Sequence, residues 1–288
     1  MNLTKNSDIL EKIDDKVLKH VQAALEEDLP QGDLTTQLLN INSVEGHGKF
    51  IAKQDLILSG SNFLNAAFLL VDHTSDLNWH FGDGEEVLKW QCFLEIEGNL
   101  ANFLKSERTA LNYIGRMSGI ASLTHQFVQE VKHTKCKILD TRKTTPLYRE
   151  FEKKAVLDGG GENHRMNLSD AVMLKENHIL AAGGIQKAVD SIRKRFHGPV
   201  EVETTNLEEV KQAVEAKIQR IMLDNMSNET MAEALTLIPA GIETEASGNM
   251  TLDRVKAVAE VGVDFISIGA LTHSAPCADI SLVFDWKN

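Results

Sequence analysis

From residue 137 to the end of the 260s, short apolar runs alternate with amphipathic stretches, and no other feature of the chain constrains the fold as much. The apolar runs are 138–141, 171–175, 200–205, 221–225, 242–247 and 265–269. Between them, 185–196, 207–216, 230–237 and 252–261 carry apolar residues at helical spacing, and Asn206 with Glu209 has capping-box spacing at one helix start. Strand–helix alternation of this kind implies a parallel sheet. Each strand also ends in polar or charged residues: Asp140 with Arg142 and Lys143, then Lys175, Glu203, Asp224, Glu245 with Ser247, and Ser267. A β/α barrel assembles its active site from the C-terminal ends of several strands, so six polar ends in a row favour a barrel over a doubly wound sheet.

Upstream the pattern is mixed. Ile13, Val17, Val21 and Leu25 recur at helical spacing, while 49–57, 77–81 and 91–97 read as short strands, with a turn at Gly82-Asp83-Gly84. This is a small α+β unit. A long helix follows over about 99–131, with Leu111, Ile114, Met117, Ile120 and Phe127 near one face and Ser118-Gly119 as a place to bend.

The net charge of −12 argues against unselective binding to nucleic acid or to a membrane surface. An acidic protein that handles an anionic substrate must gather its cations locally. Arg142, Lys143, His164, Arg165 and Lys175 do so within one short span, in Asp140–Pro146, Gly159–Arg165 and Met173–His178. Arginine offers a fork suited to carboxylate and phosphate, and lysine a point charge. A solvated basic face fits less well, because these cations follow strands rather than line one helix. The three glycines 159–161 are not followed by G-K-[ST], which excludes a P-loop. Ser247-Gly248-Asn249 leads from a strand into a helix N-terminus, and the next unit runs from Ser267 through Gly269 to His273. The last two strand–loop units of a barrel commonly cradle phosphate. Glu203 and Asp224 could bind ribose hydroxyls, hold Mg2+ or stabilise positive charge; a charge pair with a nearby lysine is the competing reading. The cysteines Cys92, Cys136 and Cys277 are scattered and odd in number, which fits neither a disulfide framework nor a zinc site. The polar N-terminus shows no secretory signal and no apolar run reaches the length of a membrane span, so a soluble, cytoplasmic protein is expected.

These motifs resemble the successive signatures of the quinolinate phosphoribosyltransferase family. The similarity takes in the runs around Asp140, Gly159, Lys175, Glu203, Asp224 and Ser247, with Glu107–Asn112, Glu27-Asp28 and Gly32–Thr36. It covers nearly the whole chain, and T-R-K-T-T-P with G-G-G-x-N-H-R is highly specific. The resemblance implies an α/β protein: a smaller N-terminal α/β sandwich domain (1–115, joined by the C-terminal tail 275–288) and an open-sided α/β barrel (116–274). It implies head-to-tail homodimers, sometimes built into higher oligomers. The implied reaction joins quinolinate to phosphoribosyl pyrophosphate with Mg2+, giving nicotinate mononucleotide, pyrophosphate and carbon dioxide.

By the same resemblance Arg142, His164 and Arg165 bind the quinolinate carboxylates, and Lys143 and Lys175 help hold substrate and diphosphate. Glu203 and Asp224 face the ribose, and Ser247, Gly248, Asn249, Gly269 and His273 take the 5′-phosphate. Lys143, Lys175, Glu203 and Asp224 form the implied catalytic set, with Mg2+ held mainly through substrate and partly by Glu203 and Asp224. Arg108, on physical grounds a surface residue of the long helix, is implied to reach a partner's quinolinate. Two departures stand out. Leu147 occupies a position where the family has glycine, which predicts a different turn because leucine disfavours positive φ. Asn249 replaces a glycine and tolerates left-handed backbone. Competing readings are a same-fold phosphoribosyltransferase for another base, such as the molybdenum-associated relatives, a Schiff-base aldolase using Lys143 or Lys175, and a non-catalytic binding protein.

Overall fold

The computed structural model describes residues 9–39, 41 and 44–285; the polar segment 1–8 and the last three residues of the tail lie outside the described residues. The chain divides into two compact units, Met1–Ser122 with Ala275–Asn288, and Leu123–Ser274.

The first unit is built on a four-stranded antiparallel sheet, in the order Ile280–Asp285, Glu45–Ala52, Cys92–Asn99, Asp76–Trp79. The tail thus supplies an edge strand. Beneath the sheet lie Phe50, Phe68, Phe93 and Phe103, all buried, with edge-to-face packing of Phe50 on Phe68 at 5.8 Å. Val17, Val21 and Leu25 face inward from the helix Asp15–Asp28, which Asp14 caps by accepting the Lys16 N–H. The expected strand 49–57 is broken: after Ala52 the chain leaves the sheet, and Leu56–Ile57 pairs instead with Glu86–Val87. The helix Ser61–Leu69 is buried from Phe63 to Leu69, so its sequence shows no polar face and no period. The long helix, Leu100–Val131, continues through Ser118 and Gly119. Their small size serves close approach rather than a bend. A Cβ on Gly119 would lie 1.9 Å from the Pro276 carbonyl oxygen, and Ser118 Oγ accepts the Ser59 N–H at 3.0 Å.

The second unit holds six parallel strands: Lys137–Leu139, Val172–Leu174, Val200–Thr204, Arg220–Asp224, Glu243–Ser247 and Phe265–Ser267. Numbered one to six along the chain, they lie in the order 1-6-5-4-3-2, so the first and second stand at opposite edges. The sheet is the wall of an open-sided α/β barrel. The chain crosses the opening between residues 140 and 171, where it forms a helix that the sequence pattern did not reveal, Arg149–Asp158. The short helix Glu176–Ala182 was missed as well. Outside the sheet, Val210 and Ala213, Met231 and Ala234, and Val255, Val258 and Ala259 bury the inward faces of successive helices. Asn206 caps its helix by accepting the Glu209 N–H at 3.0 Å, but the Glu209 carboxylate returns to the Thr205 N–H at 2.7 Å, one residue earlier than a capping box requires. Register places Asp224, Ser247 and Ser267 side by side, which brings the polar ends of strands four, five and six to one level.

Candidate active site

A pocket of about 600 Å³ opens at those strand ends. Among its lining residues are Arg142, Lys143, His164, Arg165, Lys175, Glu203, Asp224, Ser247, Gly248 and Asn249. Thr141, Met173, Met222, Asn225 and Ser267 complete it. Gly269 and His273 do not line it. Gly269 packs between Lys143 and His273 instead: a Cβ on Gly269 would lie 2.9 Å from Lys143 Cδ and 3.2 Å from the His273 ring. Arg108 is exposed on the first unit and is not among the lining residues.

One side of the pocket is cationic. Arg142 follows the end of the first strand and Arg165 follows the triple-glycine turn. Burial, reinforced by the nearby Arg142 charge, holds the Arg165 pKa below its ordinary value. The Nε of Arg142 is buried without a partner among the described residues, and Arg165 donates to the Ala171 carbonyl at 3.0 Å. The carbonyl of Lys143 accepts the Thr272 hydroxyl at 2.7 Å. Lys175 donates from Nζ to Glu203 at 2.6 Å, so the sequence's competing reading of Glu203 as one half of a charge pair holds in this structure.

His164 departs from the role the resemblance implied, because both ring nitrogens are engaged within the protein. Nδ1 accepts the Arg165 backbone N–H at 2.7 Å, and Nε2 lies 3.2 Å from Glu201 and 3.5 Å from Glu245, both buried inside the barrel. Burial works against a charged imidazole, but the two carboxylates outweigh it and lift the pKa to about 9. A second proton must displace the Arg165 N–H from Nδ1, a hydrogen bond worth about 1 kcal/mol. Attraction to a carboxylate at 4 Å is worth about 4 kcal/mol at a protein-like dielectric, so the carboxylates prevail. Arg220 joins the network from below, 2.7 Å from Glu243 and 3.4 Å from Glu245.

The opposite side is made largely by the backbone, beside the Asp224 carboxylate, which accepts from Asn225 Nδ2 at 2.7 Å. Asn225, Gly248 and Asn249 all have positive φ, of 55, 97 and 48°. Asn249 therefore takes the left-handed conformation expected of a glycine substitute. The Asn225 N–H donates to the Ser247 carbonyl at 2.9 Å, and Asn249 Nδ2 donates to Asn225 Oδ1 at 3.2 Å. A Cβ at Gly248 would lie 2.2 Å from that same Oδ1, so only glycine fits. Arg254, from the first turn of the next helix, ties the two loops by donating to the carbonyls of Gly248 and Met226 at 2.9 and 2.8 Å. Sequence reasoning passed over Asn225 and Arg254; a left-handed asparagine after a strand-end aspartate was the available signal for the first.

Leu147 corrects an expectation. Its φ is 62°, so the loop keeps the left-handed turn a glycine would make; the side chain is 93% exposed and clashes with nothing that would forbid it.

Comparison with known proteins adds a family. Residues 33–118 match the model for the N-terminal domain of quinolinate phosphoribosyl transferase, and residues 120–283 match the model for its C-terminal domain. The chain is 42% identical to the probable nicotinate-nucleotide pyrophosphorylase (carboxylating) of Synechocystis sp., over 91% of this chain and 90% of that one. It is 42% identical to the decarboxylating quinolinate phosphoribosyltransferase 2, mitochondrial, of Nicotiana glauca, over 93% of this chain and 82% of that one. The solved nicotinate-nucleotide pyrophosphorylase of Francisella tularensis superposes with a TM-score of 0.91 at 39% identity, over 96% of this chain and 99% of that one.

Proposed function

The chain belongs to the quinolinate phosphoribosyltransferase family, and from that premise we propose how its own side chains divide the work. The reaction is the decarboxylating pentosyl transfer of NAD biosynthesis: quinolinate and phosphoribosyl pyrophosphate give nicotinate mononucleotide, pyrophosphate and carbon dioxide. The observation that carries the assignment of roles is the polarity of the pocket, with the cations Arg142, Arg165, Lys143 and Lys175 set against a cation-free, left-handed backbone cradle beside Asp224.

Quinolinate lies on the cationic side. The half-buried guanidiniums of Arg142 and Arg165 face its two carboxylates, which relieve their mutual repulsion. The 5′-phosphate of the second substrate lies in the Ser247–Asn249 cradle, with Gly269 against Lys143 and the Thr272 hydroxyl bonded to the Lys143 carbonyl at its flank, and His273 on the far side of Gly269. That arrangement sets the pyridine nitrogen against C1′. The nitrogen lone pair forms the new bond as the C1′–O bond breaks and pyrophosphate leaves with the electron pair. Asp224 and Glu203, at adjacent strand ends, stabilise the positive charge developing on the ribose. Lys175, held by Glu203 at 2.6 Å, turns to the departing diphosphate. The ring nitrogen is now cationic. It accepts the electrons released when the neighbouring carboxylate leaves as carbon dioxide, and a proton replaces that carboxylate, so no dedicated base is needed for bond breaking.

Mg2+ fits this donor set in part. Asp224 offers hard carboxylate oxygen, whereas Glu203 is already neutralised by Lys175, so the protein supplies too few oxygens for a cage of its own. When bound with substrate, Mg2+ would offset diphosphate charge. The acidic, free-thiol chain suits the cytoplasm, and no helix among the described residues is long and apolar enough to cross a membrane. A head-to-tail homodimer gives the exposed Arg108 its role, at the partner's quinolinate.

The test is incubation with quinolinate, phosphoribosyl pyrophosphate and Mg2+, with nicotinate mononucleotide and carbon dioxide expected in equal amounts. For the shared site, Arg108→Ala and Lys175→Ala are each expected to be inactive. Their mixed dimer should regain one working site by two-fold symmetry. No recovery in confirmed heterodimers would remove Arg108 from the mechanism.

A further inference from the structure

The helix Arg149–Asp158 lines no part of the catalytic pocket, yet it carries three charged residues whose polar atoms all turn toward the cationic loops. Arg149 donates from Nε to the Thr144 hydroxyl at 2.9 Å and from Nη1 to the Met166 carbonyl at 3.3 Å. The Glu152 carboxylate accepts both the N–H and the hydroxyl of Thr145, each at 3.0 Å. Lys153 donates to the Asp140 carboxylate and, at 2.9 Å, to the His164 carbonyl. Asp140 in turn accepts the His164 N–H at 2.9 Å. With its amide turned so that nitrogen meets acceptors, Asn163 donates to Asp140 Oδ2 at 2.6 Å and to the Lys153 carbonyl at 3.0 Å. One helix therefore grips the loop bearing Arg142 and the loop bearing Arg165 at three successive points.

The cost of this arrangement points to its use. Asp140, Glu152 and Lys153 are all fully buried. Burial drives the Asp140 pKa up to about 6 and the Lys153 pKa down, although each faces the other. A buried ion pair is a poor source of stability compared with an apolar packing of the same volume. It does fix direction, and direction is what two neighbouring guanidiniums need, because their repulsion would otherwise part the loops.

We propose that Glu152 and Lys153 are positioning residues for quinolinate recognition: by locking both cation-bearing loops to one helix, they hold Arg142 and Arg165 as a fixed pair of forks for two adjacent carboxylates. The proposal rests on the quinolinate reading of the pocket and adds to it the residues that set its geometry.

The experiment compares KM for quinolinate, KM for phosphoribosyl pyrophosphate and kcat in the full-length wild type, Lys153→Met and Glu152→Gln. A loosened bracket misplaces the carboxylate forks, so quinolinate KM should rise by about tenfold or more in Lys153→Met. Glu152→Gln should raise it less, and in both variants KM for phosphoribosyl pyrophosphate should rise several-fold less than KM for quinolinate, because, of the bracketed residues, only Lys143 reaches the phosphate cradle, which hangs on other strands. A merely structural role would lower melting temperature and active fraction while sparing both KM values; that result, or an equal rise in both, overturns the proposal. If Lys153→Met does not fold, Glu152→Gln, which keeps the side-chain shape and one acceptor oxygen, decides alone. Wild-type turnover of quinolinate in the same assay checks the underlying reading separately. Unchanged quinolinate KM in the variants would sink the bracket and leave that reading standing.

Discussion

On the cationic side of the pocket the side chains carry charge and are braced from behind by other buried charges, namely Asp140, Glu152, Lys153, Glu201 and Glu245. On the opposite side, beside Asp224, the backbone is unusual, with Asn225, Gly248 and Asn249 all at positive φ. Under the proposed placement, the two ligands account for the difference. A pair of carboxylates fixed on a flat ring asks for directed forks, which side chains supply and must be held to supply. A phosphate accepts hydrogen bonds from many directions, so converging N–H groups in a tight turn suffice. Where the fold places charge it needs a second layer of charge; where it places backbone it needs glycine or asparagine.

That contrast should break most visibly on the cationic side. Arg165→Ala leaves bound carboxylate unpaired and should cut kcat/KM for quinolinate by about 30- to 5,000-fold, the equivalent of about 2–5 kcal/mol. KM for phosphoribosyl pyrophosphate should change little, and steady-state kinetics with each substrate varied in turn will show it. On the other side, Gly248→Ala forces a Cβ to 2.2 Å from Asn225 Oδ1 in a left-handed residue. Strain of about 1–3 kcal/mol should weaken the phosphoribosyl substrate by about 5- to 150-fold. Quinolinate binding, followed by calorimetry, should be spared. If each substitution weakens both ligands alike, the division of the pocket is wrong.

A smaller effect concerns pH. The folded pKa of His164, about 9, lies above its ordinary 6.5. The folded state therefore holds a proton that the unfolded state releases, and the resulting stability is complete below about pH 6.5 and lost as pH rises through about 9. Denaturant unfolding should show stability falling across that window in the wild type and a flatter profile in His164→Gln. Smallest of all, Leu147→Gly should relieve a left-handed leucine at some entropic cost, changing stability by no more than about 1 kcal/mol in the favourable direction. Melting temperature is the readout, and a clear loss would show that the exposed leucine has a contact of its own.

The parallel strands and their polar ends were legible because burial on both faces makes such strands short and apolar, and because ligand groups must interrupt that apolarity where the strands stop. Ten of the proposed residues accordingly line one pocket. What stayed hidden obeys other rules. Glu152 and Lys153 sit where an amphipathic helix should turn apolar residues inward, so their helix looked like loop. The helix Ser61–Leu69 failed the same pattern from the opposite direction, being buried from Phe63 to Leu69 on every face. Glu245, expected at a strand end, lies inside its strand and, like Glu201, turns to His164 rather than to the pocket, and pairings across a sheet leave no trace in sequence spacing. Arg254 reads as an ordinary first-turn charge until its reach to two carbonyls is seen. Leu147 warns that a side chain disfavoured at positive φ can still occupy it when it points into solvent.

The central claim is that the cationic side is built for two adjacent carboxylates on one pyridine. The most direct measurement offers quinolinate and nicotinate separately, with phosphoribosyl pyrophosphate and Mg2+, and compares kcat/KM for nicotinate mononucleotide formation. Nicotinate lacks one carboxylate and would leave one of two neighbouring half-buried guanidiniums unpaired, so it should be poorer by about 30-fold or more. Equal use of the two substrates would contradict the account.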